Sequence, residues 1–109
     1  MIWMLASAGL GAIPAMAGVS GFAIVNGVGK DIMAMSIRRV GSGQWQSLSA
    51  APAAGKSASA SFSDPDCAFD LRATLAGGAI VTWPGVNLCD VKLLTLRRND
   101  AGLAWIDYD

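Results

Sequence analysis

The chain has 109 residues, 53% of them hydrophobic and 15% charged, which is the composition of one folded or inserted domain and excludes a disordered, solvating chain. Eight Lys and Arg balance eight Asp, so no net field recruits nucleic acid or an anionic membrane surface. Glu and His are absent and Lys is scarce, while Gly and Ser are abundant, a balance that suits an all-β domain with frequent turns.

Residues 1–29 carry no charged side chain. Ile2 to Ile13 form an apolar block ending at Pro14, and Ala15-Met16-Ala17 places small residues where a signal peptidase reads them. The pattern predicts a signal peptide over residues 1–17, cleaved before Gly18, and a single β domain over residues 18–109. No Lys or Arg precedes the block, which departs from the usual leader. The rival is a transmembrane anchor from Ile2 to about Val25. Such an anchor needs roughly 20 strongly apolar residues, and Gly9, Gly11, Pro14, Gly18, Ser20 and Gly21 dilute this stretch. No membrane span is expected in the mature chain.

Phe22 to Val25 reads as the first strand and Asn26 to Asp31 as its turn. The glycines here make no phosphate loop: a dinucleotide fingerprint needs a third glycine and a helix, and a Walker loop needs Ser or Thr where Asp31 stands. Met33, Met35 and Ile37 alternate with Ala34, Ser36 and Arg38, giving a strand with one apolar face. Thioether copper sites recruit His or Cys, and neither is near, so Met33 and Met35 read as packing. Gly41-Ser42-Gly43 is a loop leading to Trp45 and Leu48, and Ala50 to Gly55, with Pro52, is a wider one. Ser57 to Phe62 sets Ala58, Ala60 and Phe62 on one face and serines on the other. Ser63-Asp64-Pro65-Asp66 is a turn.

From Cys67 to Leu75 apolar residues alternate with Asp70, Arg72 and Thr74, a half-buried strand. Gly77-Gly78 turns the chain into Ala79 to Trp83, which folds back antiparallel, and Pro84-Gly85 is read as the stop of that strand. The chain returns through Val86-Asn87-Leu88 to Cys89. Lys92 to Arg98 and Leu103 to Tyr108 form a last hairpin around Asn99 to Gly102. These are seven strands without a helix, an antiparallel β-sandwich or small barrel of about seven strands.

A hairpin's open end brings its flanks within disulfide range, and together with the expected export this predicts a Cys67–Cys89 bridge. A reactive pair would more often be C-x-x-C at a helix start. No serine sits in a G-x-S-x-G elbow, and no histidine is present to activate one, so no catalytic residue is assigned. Asp64, Asp66 and Asp90 form a weak calcium candidate beside the bridge, against the plainer reading of turn aspartates. Arg38, Arg39, Asp70, Arg72, Arg97 and Arg98 fall on outward strand positions, where they either pair across strands or form a basic stripe for a sugar acid or phosphate. Trp45, Trp83 and Arg72 are the candidate ligand platform, against burial of the tryptophans in a small core.

Three features, Cys67-Ala68-Phe69-Asp70-Leu71-Arg72, Trp83, and Val86-Asn87-Leu88-Cys89, resemble a group of small exported bacterial proteins of unknown function. Asn26-Gly27-Val28-Gly29, Ile32 to Arg38 and Trp45 fit the early part of its pattern. The resemblance covers most of residues 22 to 98 and implies export and a β domain, without an activity. Members carry hypothetical or Tat-signal-like labels. Some are labelled argininosuccinate lyase, which a chain this short without His or Glu does not support. The expectation is a non-enzymatic exported or periplasmic β domain with one disulfide and no cofactor. The alternative is a carbohydrate- or peptide-binding module using exposed tryptophans, with a glycan or envelope protein as partner.

Overall fold

The computed structural model describes residues 18–109; the expected signal peptide, residues 1–17, lies outside the described residues. Among the described residues are eight strands and no helix. They are β1 (Val19–Gly27), β2 (Ile32–Arg39), β3 (Gln46–Leu48), β4 (Ser57–Asp64), β5 (Ala68–Leu75), β6 (Ile80–Asn87), β7 (Leu93–Arg98) and β8 (Ala104–Tyr108). They form two four-stranded sheets, β4-β1-β7-β8 and β3-β2-β5-β6, packed as a sandwich. The strand missing from the seven-strand reading is β3, whose three residues are too few to show an alternation. No helix of the described residues is long and apolar enough to cross a membrane.

Most neighbours are antiparallel, as alternating segments joined by short turns require. The pair β1–β7 is parallel, with Ala23 beside Leu93 and Gly27 beside Arg97. These strands lie far apart in the chain, which visits the second sheet twice between them.

The alternation puts Ile24, Leu94 and Leu96 of the first sheet against Ile37, Phe69, Leu71 and Trp83 of the second, all essentially without solvent exposure. Phe62 of β4 meets Phe69 of β5 edge to face, ring centres 5.3 Å apart, one of the contacts that join the two sheets. Burying each such side chain stabilises the fold by about 1.5–3 kcal/mol.

Three strands depart from simple alternation, β1 through a register shift between Ser20 and Phe22 at its start. In β2 a register shift between Ile32 and Ala34 lets Ile32 take the inward place and leaves Met33, expected on the apolar face, 62% exposed. In β6 the chain passes through Pro84-Gly85 instead of stopping there. The ladder shifts between the pairs Phe69–Val86 and Leu71–Trp83, so Pro84 and Gly85 bulge opposite Asp70. A sheet edge tolerates the N–H that proline lacks, and Gly85 supplies a positive φ of 64°.

Candidate functional site

The outer face of the second sheet carries the densest set of polar side chains that sequence reasoning singled out. Strand register places Ser47 beside Ser36, Ser36 beside Arg72, and Arg72 beside Thr82, a polar row across all four strands. In the adjacent row Arg38 lies directly opposite Asp70. Just before β3 the chain lays the Trp45 ring against both cations, 4.3 Å from its centre to the Arg38 guanidinium carbon and 4.1 Å to that of Arg72. A guanidinium this close to a ring centre lies over a face, attracted by the ring quadrupole.

The two arginines are held differently. Arg38 Nε donates to Asp70 Oδ2 at 2.9 Å, the cross-strand pairing of opposite charges expected on this sheet. Among the described residues Arg72 has no carboxylate within ion-pair distance, so its charge faces solvent and Trp45. Asp70, expected to point into water, is only 7% exposed. The Pro84-Gly85 bulge covers it, and Gly85 N donates to Asp70 Oδ1 at 3.0 Å. That backbone hydrogen bond, followed by the Arg38 guanidinium, holds the Asp70 carboxyl below its ordinary range.

Of the expected platform, the structure brings Trp45 and Arg72 together and adds Arg38. Trp83 is corrected. It is 1% exposed, on the inner face of β6, and its indole N–H donates to the carbonyls of Arg97 at 3.1 Å and Trp105 at 3.0 Å. It pins β6 to the β7–β8 hairpin across the two layers and offers no surface to a ligand. Its inward parity with Val81 was the signal available in the sequence.

The calcium candidate is also corrected. Arg39 donates to Asp64, with Nη2 3.0 Å from Oδ1, and its Nε lies 3.3 Å from Asp66 Oδ2, so one guanidinium occupies the space between two of the three carboxylates. Asp64 also caps its own turn by accepting from Asp66 N at 2.9 Å, and this bond, then Arg39, lowers its pKa. Asp90 accepts from Asn87 Nδ2 at 3.4 Å. Among the described residues no three of His, Cys, Asp or Glu converge as metal ligands.

Cys67 and Cys89 are bonded, with Cα atoms 5.1 Å apart. Leu88 N donates to Cys67 O at 3.0 Å, which continues the β5–β6 pairing to the bridge. Cys67 lies at the surface.

Sequence reasoning gave Asn26 no role beyond its turn, yet it is fully buried and organises one end of the sandwich. Its Nδ2 donates to the carbonyls of Lys30 at 2.7 Å and Pro52 at 3.0 Å, and its Oδ1 accepts from Val28 N at 2.9 Å. Its backbone pairs with Lys56 and Gly55.

The scan against protein-family models finds no match, and the search of curated proteins finds none either. Among solved structures the chain is similar to one described as an NMR structure of the protein from Eubacterium rectale. The likeness has a TM-score of 0.56 at 13% identity and covers 82% of this chain and 86% of that one. It is a likeness of fold, and the class it defines is a small β-sandwich, which in this chain carries one disulfide.

Proposed function

We propose that this chain is an exported β-sandwich domain that performs no chemistry of its own and serves as a binding or envelope module. The observation that carries the reading is the Cys67–Cys89 disulfide, a crosslink that persists in oxidising compartments and is rare in the cytosol. The apolar block from Ile2 to Ile13, the Ala15-Met16-Ala17 pattern after it and the resemblance to small exported bacterial proteins support the same compartment. The test is fractionation followed by mass spectrometry and thiol titration. A mature chain beginning at Gly18, outside the cytoplasm and without titratable thiols, is the expected result. An intact Met1 in the soluble cytoplasm with reduced cysteines overturns the reading.

A second reading concerns what the domain binds. The contact of Trp45 with Arg38 and Arg72 favours an anionic ligand, a sugar acid or phosphate, over a neutral sugar ring, since a guanidinium already occupies a face on which such a ring would stack. Arg72, without a carboxylate partner among the described residues, is the group that would receive it.

A further inference from the structure

We infer that two copies of this chain associate through β8, forming one continuous sheet across a two-fold axis at Ile106. Strand β8 is the edge of the first sheet and runs antiparallel to β7. At one end Asn99 N donates to Leu103 O, and at the other Asp109 N donates to Leu93 O. Hydrogen-bonded pairs alternate along such a ladder, so Trp105 and Asp107 spend their backbone groups on β7. The N–H and C=O groups of Ala104, Ile106 and Tyr108 point away from it, and among the described residues no strand lies on that side.

The other edges carry protection. Strand β3 has three residues and β6 carries Pro84 and the bulge, while at the two seams β4 approaches β3 and β8 approaches β6. Strand β8 has no proline, lysine or bulge, and its residues Trp105 and Tyr108 are 41% and 47% exposed. Beside it runs a shallow groove walled by Pro84, Ala104, Trp105, Ile106 and Tyr108, with the buried Trp83 and Val86 at its base.

The register argues for a second copy as the occupant. With Ile106 opposite Ile106 of the second copy, the backbone groups of Ala104, Ile106 and Tyr108 all find partners. The large Tyr108 lies opposite the small Ala104, and the side chains that face the groove in one copy face it in the other. On the outer face Asp107 falls opposite Trp105, not opposite a second Asp107. Its charge is already matched within each copy by Arg97 Nε at 2.9 Å. No like charges meet directly, and Pro84 keeps the two β6 edges from competing for the same pairing. A strand-edge interface of this length falls at the low end of interface sizes, below about 1,200 Å², the range of weak, transient association.

Sedimentation equilibrium of the disulfide-bonded mature chain beginning at Gly18 tests this, together with amide exchange at Ile106. The expected results are twice the monomer mass at high concentration and an Ile106 amide whose exchange slows as concentration rises. Ile106→Pro removes an N–H that β7 does not use, so the variant should keep a cooperative thermal transition, lowered by the lost packing of the Ile106 side chain against the core, and sediment as a monomer. If that variant fails to fold, exchange in the native chain decides alone. A monomer at every concentration, a dimer that survives Ile106→Pro, or concentration-independent exchange at Ile106 overturns the proposal. So does a monomer whose Ile106 amide is protected only by an added extended peptide, which would make a different chain the occupant.

Discussion

Asn26 shows how one buried polar side chain fixes the loops of a β-sandwich. Its carboxamide satisfies two carbonyls and one N–H from separate stretches of chain, a set that only a group with both donors and an acceptor can match. Asn26→Asp keeps the size and the acceptor but faces a carboxylate toward the carbonyls of Lys30 and Pro52. Burial and those carbonyls disfavour the ionised form, so the introduced carboxyl should titrate above its unfolded value. The sign follows. The variant's deficit against the parent is smallest below the unfolded carboxylate range near pH 4 and grows as pH rises through the raised value, reaching at least about 2 kcal/mol at pH 7. Denaturant melts of both proteins at pH 4 and pH 7 check this, and an equal deficit at both pH values would contradict it.

At the scale of elements, the β5–β6 hairpin was the most legible part of the chain. Phe69, Leu71, Ala73 and Leu75 alternate without interruption, a glycine pair marks the turn, and the cysteines flank the open end, so pattern and crosslink point to the same pairing. Closing a loop of 22 residues stabilises the fold by about 3 kcal/mol in the chain-entropy model. Cys89→Ser should therefore lower the melting temperature by more than about 10 °C, at 4 to 8 °C per kcal/mol for a domain of this size. A melt of the parent in dithiothreitol should reproduce that shift, and an unchanged melting point in both would show the crosslink to be dispensable. What was not legible came from tertiary choices. Proline and glycine stop a central strand but only bulge an edge strand, and the sequence does not state which strand is the edge. That single ambiguity hid the extension of β6 and, with it, the covering of Asp70. Met33 was misplaced for a related reason, since a bulge after Ile32 reverses the facing of one residue without altering its neighbours' pattern. Trp45 and Arg72 were grouped from the sequence, but the stacking of Trp45 on both Arg72 and Arg38 was not legible, because a residue outside any strand chooses its neighbours by loop path and periodicity carries no information about that path.

The whole molecule answers to pH through its aspartates, since the chain has no Glu and no His. Asp70 sits on the second sheet, where it joins β2 to the β6 bulge, and Asp64 joins the end of the first sheet to Arg39 of the second. Both carboxyls have folded pKa values below the ordinary one, each through a backbone N–H first and an arginine after it. A depressed folded pKa contributes stability that is fully present above the unfolded value and is lost as pH falls through the folded one. The contribution of these two carboxyls should accordingly be fully present above about pH 5 and decline below about pH 4. Protonating Asp70 weakens its bond to Gly85 and releases the Arg38 charge toward Trp45, so the loss should appear in tryptophan fluorescence as well as in backbone circular dichroism. Asp70→Asn separates this residue from the rest. The amide oxygen can still accept from Gly85, but its NH₂ cannot pair with Arg38, so the variant should be less stable than the parent at pH 7 by about 1–3 kcal/mol. It should also lose less on acidification, because one of the two depressed carboxyls is gone. Parallel curves for parent and variant from pH 7 down to pH 3 would show that the Arg38–Asp70 pair contributes nothing to the acid limb, and that limb would then rest on the contact between the sheets at Asp64.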